Sequence, residues 1–162
     1  MPLNERLRSL LESRQIPYSL THHRAAIRAS ELAHVEHLPA WEVAKTVVVC
    51  ADARFLIIVV PADRQVDLQE VRSALDLKHV RLATEAELGD LFPDCELGAM
   101  PPVGTLHHLP VYLDADIANQ PMIAFNAGTH QECVHMRTSD YRKLTQPHVV
   151  SLTRFQTAGY CW

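Results

Sequence analysis

The sequence lacks the features that mark several large classes of protein. None of its apolar runs approaches the roughly 18–20 residues that span a bilayer. Its start, Met1-Pro2-Leu3-Asn4-Glu5-Arg6, has no basic segment followed by an unbroken hydrophobic core. A cytoplasmic protein without a membrane partner is expected. Positive charge is not in excess either: 15 Lys and Arg against 19 Asp and Glu leave a net charge of −4. No global basic field exists to hold long duplexes, so DNA is not an expected partner and any nucleic-acid contact must be local. Cys50, Cys95, Cys133 and Cys161 lie far apart and form no C-x-x-C pair. That argues against a structural zinc site and a secreted disulfide framework, and reduced, mostly buried thiols are expected. Histidine is plentiful, at 10 residues, but no H-E-x-x-H or Cys/His ligand spacing occurs. The adjacent pairs His22-His23 and His107-His108 would point to opposite faces of a strand, and His34 and His37 stand three apart on an expected helix. No metal and no cofactor is expected.

What is present suits one globular domain, with 48% hydrophobic and 21% charged residues. The domain is placed at residues 1–154, with 155–162 as a C-terminal tail. Leu3, Leu7, Leu10 and Leu11 predict a helix over Asn4 to Arg14, closed by Pro17, and a short extended segment at Tyr18-Ser19-Leu20 follows. A second helix is expected over Ser30 to His37. Val43 to Cys50 and Phe55 to Val60 read as strands of a hairpin turning at Ala51-Asp52-Ala53-Arg54. Asp67 with Glu70, and Thr84 with Glu87, are helix-start signals of the capping-box type, with a short strand at His79 to Leu82 between them. Beyond Pro93 come short extended pieces at Val111-Tyr112-Leu113, Met122 to Phe125 and Glu132 to Met136. A helix near Ser139 to Leu144 and a strand at Val149-Val150-Ser151 complete a mixed α/β pattern.

Three segments carry chemistry. Lys45 lies in the apolar run Val43-Ala44-Lys45-Thr46-Val47-Val48-Val49, and a period of two puts it on the face of Val43, Val47 and Val49. An ammonium there is costly unless paired or left at the wall of an anion-admitting pocket, so Lys45 is either a structural ion-pair member or a ligand hook. The other two are glycine turns: Leu97-Gly98-Ala99-Met100-Pro101-Pro102-Val103-Gly104, and Phe125-Asn126-Ala127-Gly128-Thr129-His130. Each sets a glycine between extended pieces, where positive φ can bring backbone N–H groups to a ligand.

Taken together, the A-K-T-V-V-V strand, the G-A-M-P-P-V-G turn leading to Leu109-Pro110-Val111-Tyr112-Leu113-Asp114, and N-A-G-T-H resemble the YbaK/prolyl-tRNA-synthetase-associated family of aminoacyl-tRNA editing domains. The resemblance covers nearly the whole chain. It implies an α/β (mixed α+β) fold, with a mostly antiparallel sheet or partial barrel surrounded by helices. It also implies hydrolysis of the ester between a mischarged small amino acid and the 3′-terminal adenosine of a tRNA, of the alanyl- or cysteinyl-tRNA(Pro) type. Such an activated ester needs only a placed water and donors for the developing oxyanion.

On this resemblance the catalytic set is Lys45, Gly98 and His130: Lys45 anchors the terminal nucleotide and the Gly98 turn lies beside the scissile carbonyl. Thr46, Ala99, Met100, Pro101, Pro102, Asn126, Gly128, Thr129 and Tyr18 are the expected substrate-binding residues, with Gly128-Thr129-His130 as the opposite wall of the pocket. His130 has two readings, one as an acid, base or hydrogen-bonding group and one as a structural histidine fixing its turn. Arg24 and Arg28 could rim the site for an acceptor stem, or form a solvated face. Tyr18 and Trp41 could stack an adenine, or pack in the core. The chain departs from the cysteinyl-tRNA branch, in which a serine precedes the proline of the glycine turn; Met100-Pro101-Pro102 and Thr129-His130 look more like the freestanding alanyl-tRNA branch. The expected partners are the aminoacyl-tRNA 3′ acceptor end and, as a further candidate, an aminoacyl-tRNA synthetase. The alternative function is a non-catalytic module that binds an aminoacylated 3′ end, an adenylate or a synthetase, and a metal-dependent hydrolase is a third.

Overall fold

A computed structural model of the chain describes residues 4–154; the expected tail at 155–162 lies outside them. In chain order the elements are α1 (Glu5–Ser13), β1 (Ser19–His22), α2 (Ala29–Val35), β2 (Ala44–Ala51), β3 (Arg54–Pro61), β4 (Gln65–Val66), α3 (Leu68–Ala74), β5 (Val80–Leu82), α4 (Glu85–Leu91), β6 (Val111–Asp114), α5 (Ala115–Ala118), β7 (Met122–Asn126), β8 (Glu132–Arg137), α6 (Thr138–Thr145), β9 (His148–Val150) and β10 (Thr153–Arg154).

Local chemistry sets most of these boundaries. Asn4 caps α1, its side-chain oxygen accepting from the Leu7 N–H at 3.1 Å, so the helix begins one residue later than its apolar period suggests. Thr84 and Glu87 form a reciprocal capping box at α4. Asp67 caps α3 by accepting from the Gln69 and Glu70 N–H groups. Between β2 and β3, Asp52 and Ala53 have φ of 47° and 69°, the double left-handed conformation of a tight hairpin turn. The Asp52 carboxylate also accepts from the Lys78 and His79 N–H groups, tying that turn to the start of β5.

Five strands form one sheet in the order β5-β2-β3-β6-β9. Its β2–β3 and β2–β5 ladders are antiparallel, and its β3–β6 and β6–β9 ladders are parallel. Both faces are covered, which explains the unbroken apolar run of β3. Ile57 and Val59 enter the main core with Ala44 and Val48. Leu56, Ile58 and Val60 pack with Val49 and with Val71 of α3 on the other side. A second sheet, β1-β8-β7, is antiparallel. One of its faces sends Phe125, Val134 and Met136 into the main core, and the other lies under α2, where Ala124 and Cys133 meet Leu32 and Ala33. A parallel bridge between Val43 and Ala124 joins the two sheets beside the start of β2. The mixed, mostly antiparallel arrangement with surrounding helices is the expected fold class. Three elements were not expected: α5, one turn capped by Asp114, and β4 and β10, a two-residue pair.

Candidate functional site

A cavity of about 650 Å³ opens where β2 leaves the sheet junction, and Lys45, Thr46, Gly98, Met100 and Asn126 all line it. Its volume falls within the range of small-ligand pockets, about 300–1,000 Å³. Lys45 opposes Val60 in the β2–β3 ladder, so the pleat puts it on the face of Val47 and Val49, at the open end of the sheet. Among the described residues no hydrogen bond or ion pair engages its ammonium. Burial pushes its pKa below the ordinary lysine value, and the negative charge of Asp63 partly opposes that shift. The cavity therefore carries a half-buried cation with unused donors, suited to an anionic or hydroxylated ligand.

The two glycine turns are bound into one unit. The Glu96 N–H donates to the Gly128 carbonyl at 2.8 Å, and the Gly128 N–H donates to the Ala99 carbonyl at 3.0 Å. Gly98 and Gly128 have φ of 85° and 100°, a region costly for residues with a Cβ. The Gly98 N–H points at the Met100 Sδ, 3.2 Å away, a weak acceptor that a substrate oxygen can replace.

His130 joins the turns from behind. Its backbone N–H donates to Glu96 Oε1 and its Nε2 lies 2.7 Å from the Leu97 carbonyl oxygen. A carbonyl only accepts, so Nε2 carries a proton, and the buried Nδ1 has no hydrogen-bond partner among the described residues. The ring lies under Gly98, where an added Cβ would sit 3.5 Å from its Cε1.

The remaining expected residues fall in several places. Ala99, Pro101 and Pro102 are buried around the turn, and the Tyr141 hydroxyl donates to the Pro102 carbonyl at 2.6 Å. Gly128 and Thr129 line a second cavity of about 230 Å³, with Asn4, Arg6 and Asp94. The Thr129 hydroxyl donates to Glu132. Tyr18 packs against the main core outside the Lys45 cavity, and Trp41 is 52% exposed. Arg28 lines the Lys45 cavity, whereas Arg24 lines a separate surface concavity.

Sequence reasoning missed Asp63 and Arg64, which line the same cavity from the turn after β3. Their signal was a charged pair directly after an apolar strand. Arg64 is held by Asp116 of α5 at 2.7 Å. Asn126 has a further property hidden from the sequence: it is 9% exposed and its Oδ1 is buried without a partner, an acceptor awaiting a donor. Outside this cavity, Glu36, Cys133 and His135 bring potential metal-ligand atoms within 4.8 Å of one another. Among the described residues no helix is long and apolar enough to cross a membrane.

No curated protein matches the chain in sequence. Among solved structures, a hypothetical protein is 17% identical, with 92% of this chain covering 99% of that one at a TM-score of 0.83. A candidate trans-editing enzyme for prolyl tRNA synthetase is 24% identical, with 96% and 99% covered at a TM-score of 0.81. A candidate signal transduction protein of Marinobacter aquaeolei VT8 is 16% identical, with 94% of this chain covering 31% of that one at a TM-score of 0.74. These likenesses carry the fold. The family assignment comes from the sequence pattern of the aminoacyl-tRNA editing domain, which matches residues 23–144 and so takes in the Lys45 strand and both glycine turns; the chain belongs to the aminoacyl-tRNA editing domain family.

Proposed function

We propose that the protein is a freestanding deacylase that removes a mischarged small amino acid from tRNA, of the alanyl- or cysteinyl-tRNA(Pro) type, as a proofreading step in translation. The observation that carries this reading is the meeting of an unpaired Lys45 ammonium and the Gly98 backbone at one cavity, in a chain of the editing family. Lys45, with Arg28 lining the same cavity, binds the phosphate and ribose of the terminal nucleotide. The Gly98 N–H exchanges the Met100 sulfur for the carbonyl oxygen of the ester and stabilises it as negative charge develops. The orphan Asn126 Oδ1 accepts from the α-ammonium of the amino acid. Water attacks the carbonyl carbon, the C–O bond to the ribose breaks, and the ribose oxygen takes a proton. A free neighbouring ribose hydroxyl can relay that proton. His130 is a positioning residue here, because its Nε2 proton is committed to the Leu97 carbonyl.

The test is ester loss from a panel of alanyl-, cysteinyl-, seryl- and prolyl-tRNA. One species is expected to turn over rapidly. Lys45→Ala should lower kcat/KM about 10- to 100-fold, the size of a lost charge-assisted contact. His130→Gln, which can reach Leu97 with an amide N–H, should recover much of the activity lost in His130→Ala. Unchanged turnover in Lys45→Ala would remove the anchor. Tight binding of charged tRNA with no turnover across the panel would replace the enzyme with a binding module.

A further inference from the structure

Behind the wall of the cavity, on the face of the three-stranded sheet that α2 covers, three side chains with metal-ligating atoms converge, and a fourth, His23, reaches one of them. Cys133 and His135 stand two apart on β8 and so share a face. Glu36 is the C-cap of α2, and His23 follows β1. The Glu36 Oε1 lies 3.0 Å from His135 Nε2, and the Glu36 Oε2 lies 3.8 Å from His23 Nε2. The ligand atoms of Glu36, Cys133 and His135 are within 4.8 Å of one another. Zinc bonds of about 2.0–2.3 Å place tetrahedral ligand atoms roughly 3.3–3.8 Å apart, so seating an ion needs Glu36 Oε1 and His135 Nε2 to part slightly from 3.0 Å while the wider pairs close.

The independent observation is the placement of His23. Its Nδ1 donates to the Arg24 carbonyl oxygen at 2.6 Å, because a carbonyl only accepts. That side chain is 6% exposed, and Nε2 is buried without a hydrogen-bond partner. A buried ring nitrogen opposite a carboxylate oxygen calls for a positive partner between them, either a proton or a metal ion. A histidine whose other nitrogen donates to a backbone carbonyl is the usual arrangement of a metal ligand. The Thr21 hydroxyl donates to Glu36 Oε1 at 2.7 Å and lies 3.1 Å from His135 Nε2, so a metal ion would displace the latter contact.

The geometry points to a structural transition-metal site of the zinc class, built from His23, Glu36, Cys133 and His135. Thiol, imidazole and carboxylate together favour zinc over magnesium or calcium. Binding releases the thiol proton and shifts the His135 ring proton from Nε2 to Nδ1, so the charge is balanced by proton release. The ion would join β8, the segment after β1 and the end of α2. Ala29 and Ser30 at the start of α2 line the cavity, as does Asn126, the ladder partner of Cys133. The expectation of no metal followed linear spacing, and these donors come from opposite ends of the chain.

The test is a Co²⁺ titration of the chelator-treated full-length protein, followed by absorbance. One equivalent is expected to produce the intense visible bands of four-coordinate cobalt and a thiolate-to-cobalt charge-transfer band. The charge-transfer band should be absent in Cys133→Ser. His23→Ala should weaken cobalt binding at least tenfold, and it serves as the second variant should Cys133→Ser fail to fold. Zn²⁺ at roughly 100-fold excess over its Kd should raise Tm by about 5–10 °C. Absence of both bands overturns the site. So does binding that survives Cys133→Ser and His23→Ala but disappears in a His34→Ala/His37→Ala variant, which would place the metal on surface histidines.

Discussion

Lys45 shows how one residue sets stability against function. Burial lowers its pKa and Asp63 opposes that shift, so the folded protein disfavours the ammonium more than the unfolded chain does. The sign is therefore that of a cost: it is fully present below the lowered pKa and relieved as pH rises toward 10.5, the ordinary value. Lys45→Met should raise the urea midpoint near neutral pH while lowering kcat/KM to the same extent as Lys45→Ala. Activity that needs the charged form falls as pH rises through the lowered pKa, so kcat/KM should show an alkaline limb below the usual lysine range. Asp63→Asn removes the opposing charge and should move that limb to still lower pH; Lys45→Arg should remove it. A limb that stays fixed in both variants would assign it to another group. The lysine was legible because its charge interrupts a period-two apolar run. Asp63 was not, because its proximity to Lys45 depends on the register of the β2–β3 ladder.

At the scale of elements, the two glycines of the Leu97–Gly104 turn are needed for different reasons. Gly98 needs its positive φ, whereas Gly104 needs space, since a Cβ there would overlap the Leu109 carbonyl oxygen and crowd Val111 Cγ2. That carbonyl is backbone at the entrance to β6, so neither side can yield cheaply. Gly104→Ala should cost about 2–4 kcal/mol, read as a lower urea midpoint at unchanged m. Gly89, inside α4, has nothing within 4 Å of the same atom. Gly89→Ala should instead stabilise by about 0.5–1 kcal/mol through helix propensity. Loss of stability in both variants would mean that Cβ clearance is not the deciding factor. Elements whose boundaries rest on local chemistry could be read from the sequence, as Thr84 and Glu87 at α4 show. The single turn of α5 and the β4–β10 pair could not, because neither is long enough to show a period and the two strands exist only by pairing across the chain.

At the scale of the whole molecule, charge limits how the protein can hold a tRNA. The net charge is −4, and Lys45 and Arg28 both line the cavity while Arg64 is tied to Asp116. Binding should therefore engage the single-stranded 3′ end through few phosphates and leave the duplex stem lightly held. Two phosphate contacts to a single strand give a slope of about −1.4 in log kcat/KM against log salt, or roughly a sevenfold loss between about 50 and 200 mM. A charged acceptor-stem minihelix should give the same slope as the full tRNA. A much steeper slope, or one that falls when the tRNA is truncated, would require a basic surface beyond this cavity. The fold makes the shallow slope a structural consequence. The two sheets meet at the Val43–Ala124 bridge, which sets the β2 lysine and the Asn126 end of β7 around one opening. That meeting was invisible in a linear reading, because it depends on which sheet edges come together.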